Sequence, residues 1–197
     1  MSGLGRAAMG RKTTKLGAWV RQESSTVCET RVFDVLRQRS RSPRTGEPHD
    51  FFVLETCDWV NIVPVTADDE VVLIRQFRHG IEDFTLEIPG GMVDDTDASP
   101  LVAAGREMLE ETGYGSDDIV PLGSIHPNPA IQANHCHSFL ARNAERRAAP
   151  TFEGTEETEV VLEPLARIPD LIRSGSITHA LVVVAFHWLG LRAGGAP

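Results

Sequence analysis

Three glutamates, Glu107, Glu110 and Glu111, fall at spacings of three and four inside a stretch whose flanks read as a helix. Carboxylates at those spacings share a helix face, where each exposed pair repels by about 0.2–0.5 kcal/mol and partly desolvated pairs by more. A solvated helix face usually interleaves lysine with such glutamates. This one has none, and Arg106 alone stands beside the cluster. Oxygen ligands crowded in this way suit Mg2+ or Mn2+, and a cation so held binds phosphate oxygens in turn.

The elements that must position these carboxylates are legible around them. Pro89-Gly90-Gly91 reads as a strand end and a tight glycine loop, which brings backbone close to the carboxylates. Ser99 suits an N-cap, Pro100 the first helical position, and Gly113 the left-handed position past the last turn. On a 3.6-residue wheel Leu101, Val102, Ala104, Met108 and Leu109 share one arc, the expected core face, with the three glutamates opposite.

Composition narrows the function classes. A chain of 197 residues, 41% hydrophobic and 24% charged, is expected to be one domain with a proper core. A net charge of −9 argues against sequence-independent nucleic-acid binding and sharpens the case for a cation wherever a pyrophosphate is handled. Cys28, Cys57 and Cys136 are odd in number and form no C-x-x-C pair, so a disulfide framework is not expected and a cytoplasmic setting is. No apolar run reaches membrane-spanning length, and no membrane partner is expected. Residues 1–14 are read as a flexible N-terminal arm.

Along the chain, β-prone stretches run through residues 19–36, and the basic run 37–46 reads as a hairpin loop. Strands are expected at 51–55, 59–65, 70–77, 84–88, 119–125, 137–141 and 160–165. Short helical segments are expected at 168–174 and 179–191. His135-Cys136-His137 suggests a metal cluster on paper. Neighbouring strand residues face opposite ways, however, so Cys136 cannot join both histidines, and a zinc site is not the expectation there. His179 and His187 are read as packing or surface residues.

At this point the residues resemble a family. Gly91 to Tyr114 is similar to the Nudix box, with its second half intact as Arg106, Glu107, Glu110, Glu111 and Gly113. The first half departs: the glycine and glutamate of the pattern fall on Met92 and Ala98. A one-residue insertion after Gly91 accounts for this and leaves Asp97 as the nearest acid. Beyond the box, the segment from Val72 to Arg78, the run Leu86-Glu87-Ile88-Pro89-Gly90-Gly91, Pro129, and the run from Gly175 to Ala180 resemble the ADP-ribose pyrophosphatase group.

The resemblance implies an α/β Nudix fold, a mixed β-sheet core sandwiched between helices, with an N-terminal β-rich region. Residues 15–192 would form a single Nudix domain, in which 15–57 supply strands for dimerisation and substrate binding and 58–192 the core. It implies Mg2+-dependent hydrolysis of a nucleoside diphosphate sugar such as ADP-ribose, a small-molecule partner, and a homodimer. Metal ligands would be the Gly90 carbonyl, Glu107, Glu111 and Glu156; Glu110 would be a secondary ligand or a partner for Arg106, which orients the carboxylates. The base would come from the acidic loop, with Glu156 first and Glu157 in reserve. Arg78 is the expected phosphate or nucleotide contact, and the Asn128 to Asn134 loop is expected to face the sugar. Relatives that favour ADP-ribose often carry Gly-Gly where this chain has Ala130-Ile131, which leaves the sugar open. The rival expectations are a nucleoside triphosphate, dinucleoside polyphosphate or coenzyme A substrate, and a nucleotide-sugar binding module without turnover.

Overall fold

A computed structural model describes residues 15–152 and 157–194. The chain divides into two compact units, Met1–Glu55 and Thr56–Pro197. The expected arm, residues 1–14, lies outside the described residues.

The described part of the first unit is an antiparallel sheet of β1 (Val20–Glu29), β2 (Asp34–Arg41) and β3 (Pro48–Glu55) in sequential order. The Thr30 hydroxyl accepts the amide protons of Val32 and Phe33 and so shapes the first turn. The basic run is a correction to the sequence reading. Residues 37–41 are strand, paired with β3, and the turn is confined to the segment around Gly46, whose φ of 78° glycine adopts without strain. Arg39 faces Asp50 across the ladder and forms an exposed salt bridge with it at 3.8 Å, while Arg37 faces Phe52 and Arg41 faces Pro48. Trp19 meets Phe51 edge to face, and Trp19, Phe51 and Phe52 are all exposed.

The second unit opens with β4 (Trp59–Pro64), β5 (Glu70–Arg78), β6 (Asp83–Glu87) and β7 (Gly90–Met92). Helix α1 (Pro100–Thr112) follows, then β8 (Tyr114–Gly115), β9 (Asp118–Ile125), β10 (Cys136–Arg142), β11 (Glu145–Arg146) and β12 (Thr158–Pro164). Helices α2 (Ile168–Arg173) and α3 (Ala180–Gly194) close the chain. One sheet runs β7-β4-β10-β9, with β4 and β10 parallel and the other pairs antiparallel; a second runs β12-β5-β6.

Strand β4 is buried along nearly its whole length and feeds two cores, as a central strand covered on both faces must. Val60 and Ile62 join Phe139, Ala141 and the α1 residues Ala103, Ala104 and Met108. Val63 joins Leu73, Leu140 and the α3 residues Val182, Ala185 and Phe186. The β4-containing sheet is therefore layered between helices, in the α/β arrangement expected of the Nudix fold. Among the described residues, no helix is long and apolar enough to cross a membrane.

Candidate active site

Helix α1 begins and ends where its sequence dictates. The Ser99 hydroxyl caps it by accepting the Val102 amide, and Gly113 ends it at φ 73°, its N–H bonded to the Leu109 carbonyl. Its orientation corrects the sequence wheel. The buried residues are Ala103, Ala104, Met108, Glu111 and Thr112, whereas Leu101, Val102 and Leu109 are exposed. The small side chains at 103 and 104 face the sheet, and this choice of face carries two glutamates inward with it. Glu111 is 7% exposed and Glu107 13%, while Glu110, on the open side, is 39% exposed.

The glycine loop meets those two buried carboxylates. The Gly90 amide donates to Glu111 Oε2 at 2.9 Å. A Cβ on Gly91 would lie 2.5 Å from Glu107 Oε1, so the missing side chain is the space that the Glu107 carboxylate occupies. A Cβ on Gly90 would instead lie 2.3 Å from the Val60 carbonyl oxygen, which makes that glycine a condition for pairing β7 with β4. The oxygens of two adjacent carboxylates are donors of the kind Mg2+ takes. Among the described residues no three His, Cys, Asp or Glu side chains already enclose a common point, so a cation would draw these ligands together.

Arg106 is the hub of the surrounding charges. Its guanidinium donates to Asp97 through Nε and Nη2, to Glu110 Oε2 at 2.9 Å and to the Met92 carbonyl, and lies 3.0 Å from Glu107 Oε1. Asp97 is 5% exposed and also accepts the Asp94 amide, which folds the segment between β7 and α1 back on itself. Arg106 holds the Asp97 carboxyl below the ordinary aspartate range. Asp97, the acid nearest the position at which the box departs from its pattern, is thus braced to Arg106.

Two hydrogen bonds bind the acidic segment's flanks to the last turn of α1. The Thr151 amide donates to the Glu110 carbonyl at 2.8 Å, and the Thr158 hydroxyl to the Glu111 carbonyl at 2.9 Å. Glu156, the leading candidate for the base, lies outside the described residues; Glu157 is described and exposed.

The remaining candidates stand as follows. Arg78, at the end of β5, makes a two-pronged pair with Glu87, Nε to Oε1 and Nη2 to Oε2, each 2.8 Å. Burial pushes the Glu87 carboxyl up, but hydrogen bonds from Arg78 and Thr85 outweigh it and hold the group ionised. The arginine itself is 43% exposed. Asn128 is exposed, and its carbonyl accepts the amides of Ile131 and Gln132. Asn134 is 3% exposed, and among the described residues neither amide atom of its side chain has a hydrogen-bond partner.

Sequence reasoning missed Asp97's bond to Arg106 and the Glu87 carboxylate behind Arg78. The first could have been found from the acid nearest the displaced box position. The second follows from alternation across the β5–β6 hairpin.

Comparison with known proteins gives the family. The NUDIX domain family profile matches residues 56–181. Among curated relatives, the ADP-ribose pyrophosphatase of Bacillus subtilis (strain 168) is 28% identical over 68% of this chain and 72% of its own length. The CMP-5'-(N-acetyl-N-hydroxy-3-aminopropyl)phosphonate hydrolase of Streptomyces rubellomurinus (strain ATCC 31215) is 35% identical over 67% of this chain and 64% of its own. The GDP-mannose pyrophosphatase of Salmonella arizonae (strain ATCC BAA-731 / CDC346-86 / RSK2980) is 32% identical over 60% of this chain and 65% of its own. The matches to those last two thus span just under two thirds of each relative. The crystal structure of an ADP compounds hydrolase superimposes with a TM-score of 0.78 at 25% identity, covering 93% of this chain and 99% of that one. With the family profile matching well over half of its length, the chain belongs to the Nudix family of hydrolases.

Proposed function

We propose that this protein is a Mg2+-dependent pyrophosphohydrolase that cleaves a nucleoside diphosphate sugar, ADP-ribose or a close analogue, to a nucleoside monophosphate and a sugar phosphate. The observation that carries the reading is the convergence of two largely buried carboxylates, Glu107 and Glu111, on the backbone of Gly90 and Gly91. The names of the relatives, which act on ADP-ribose, a CMP-linked phosphonate and GDP-mannose, support a nucleotide joined through phosphorus to a second group.

Glu107, Glu111 and the Gly90 carbonyl would hold Mg2+, and Mn2+ could replace it. The bound ion would neutralise the diphosphate and lower the pKa of a coordinated water. Arg106, itself held by Glu110 and Asp97, fixes the direction of the Glu107 carboxylate. A carboxylate of the acidic loop, Glu156 first and Glu157 second, takes the proton from the attacking water. Oxygen bonds to one phosphorus, the bridging P–O bond breaks, and the other phosphate leaves with the bridging oxygen. The tie of both loop flanks to the turn carrying Glu110 and Glu111 supports this assignment. Arg78, oriented by Glu87, would contact a phosphate or the nucleotide. Asn128 and Asn134 would face the sugar; the unpaired amide of Asn134 has donors and an acceptor to give to hydroxyls.

The exposed aromatic residues of the first unit support a homodimer formed through that sheet. A cytoplasmic setting fits the three free cysteines.

The test is incubation of purified protein with ADP-ribose, ADP-glucose, GDP-mannose, nucleoside triphosphates, dinucleoside polyphosphates and coenzyme A, with and without Mg2+, and identification of products. Metal-dependent release of a nucleoside monophosphate from a diphosphate sugar is expected. Turnover confined to the other compounds would transfer the reading to them, and binding without cleavage under Mg2+ or Mn2+ would make the chain a nucleotide-sugar binding module.

A further inference from the structure

The start of β10 carries a second group of metal-capable side chains that the hydrolytic site does not use. In the antiparallel ladder Cys136 pairs with Ile125, and in the parallel ladder with Trp59. One position earlier, His135 is therefore flanked by His126 and Asp58. His137 lies two residues along the same face as His135. The contacts bear out the register: the His126 and His135 ring centroids are 4.2 Å apart, and those of His135 and His137 are 5.9 Å apart. Asp58 reaches both of the latter, Oδ2 to His137 Nε2 at 3.2 Å and Oδ1 to His135 Nδ1 at 3.6 Å.

We infer that His126, His135, His137 and Asp58 form a binding site for a transition-metal dication of the Zn2+ type, separate from the glutamates of α1. The Asp58 carboxylate lies between two of the rings, and its Oδ1 also accepts the His135 amide at 2.7 Å, which fixes its direction. Three imidazoles and one carboxylate are a set that nitrogen-favouring ions prefer and Mg2+ does not. The four donors do not yet enclose one point. His126 lies just past the end of β9 on the exposed surface, its ring already against His135, where a change of rotamer can aim a ring nitrogen between the other donors. Cys136 takes no part: it is 1% exposed, and burial, with Asp58 nearby, pushes its thiol up to about 12. The sequence argument that separated Cys136 from its neighbouring histidines holds; Asp58 and His126 supply what it lacked.

The placement gives the ion a task. His126 and His135 bracket residues 127–134, and Asp58 immediately precedes β4, so one ion would clasp both ends of that loop to the start of the central strand. This role does not depend on which substrate the enzyme hydrolyses.

The test is titration of the apo protein with ZnCl2 in a large excess of Mg2+, followed by calorimetry, and in parallel with Co2+, followed by its visible absorption. One zinc per chain and a tetrahedral cobalt spectrum are expected. Affinity should fall at least tenfold in His126→Gln, whose melting in the absence of zinc matches the wild type, and in Asp58→Asn, compared at a temperature where circular dichroism shows it folded because Asp58 also accepts the His135 amide. His126 is exposed and outside any strand, so its substitution leaves the fold intact. Absence of saturable zinc binding, or zinc and cobalt binding unchanged in both variants, would overturn the assignment.

Discussion

Replacement of Gly91 by alanine separates the chemistry of the glycine loop from its folding. The added Cβ would stand 2.5 Å from Glu107 Oε1 and 2.6 Å from Cδ. Ordinary contact begins near 3.5 Å, so the carboxylate must retreat by about 1 Å. Because the obstructed atoms end a side chain rather than belong to the backbone, the fold can yield there, and stability should change by no more than about 1 kcal/mol, or about 2–4 °C in Tm. A misplacement of about 1 Å in a catalytic site costs roughly 100-fold in rate, and that is the loss of kcat expected here. The Mg2+ concentration giving half-maximal rate should rise as well. Gly90→Ala is the control of opposite character: its Cβ would meet the Val60 carbonyl oxygen at 2.3 Å and Asn61 Cα at 2.8 Å, both backbone atoms. That variant should lose stability by about 3 kcal/mol or fail to fold. The assays are steady-state hydrolysis of ADP-ribose across a Mg2+ titration and thermal melting of both variants. A Gly91→Ala enzyme within twofold of wild-type kcat at saturating Mg2+ would refute the claim that the space above Gly91 exists to seat a catalytic carboxylate.

Other outcomes follow from the same site. Asp97→Ala should destabilise by about 1–3 kcal/mol, because it strips a hydrogen-bonded partner from Arg106, and kcat should fall with it; chemical denaturation and kinetics measure both. The folded state holds the Asp97 carboxyl low, so its contribution is complete above the unfolded pKa of about 3.9 and fades as pH falls through the folded value. Wild type and Asp97→Ala should therefore converge in stability under strong acid. Glu156→Gln should slow turnover while leaving KM nearly unchanged, and a rate equal to wild type would move the base to another acid of the loop. Cys136, with its thiol pushed up to about 12, should resist alkylation at pH 8 in the native state, while exposed Cys28 reacts, as mass spectrometry of labelled peptides would show.

Much of this was readable from local sequence. Ser99, Pro100 and Gly113 marked α1 correctly because capping depends on near neighbours. The direction in which α1 faces was not readable from the wheel. Leu101 and Leu109 outweigh Ala103 and Ala104 in hydrophobicity, yet the alanines are buried and the leucines exposed. Burial followed the shape of the sheet surface rather than the size of the apolar side chains, and it drew Glu107 and Glu111 inward. Residues 37–41 were misread because a run of arginines looks like a loop until its pairing with β3 is seen. Likewise, nothing in the sequence joins Asp58 to His135. Their meeting depends on a parallel pairing between strands separated by more than seventy positions. The acidic segment at 153–156 lies outside the described residues, and its proposed part in the site comes from the family resemblance, with the bonds of its flanks as support.

Those flanks have a consequence for how the enzyme could be altered. Thr151 and Thr158 are fastened to consecutive carbonyls of one helical turn, so the chain between them leaves and returns to nearly the same place. On the proposed mechanism an acid of this segment would act at an effective concentration that falls roughly as the −3/2 power of the length of the connection. Extra residues in the circuit would therefore dilute the acid gradually and abolish nothing outright. Severing one fastening would lengthen the circuit to the next anchor on that side, the pairing of β12 with β5 after Thr158 or the bond of the Ala148 amide to Gly113 before Thr151.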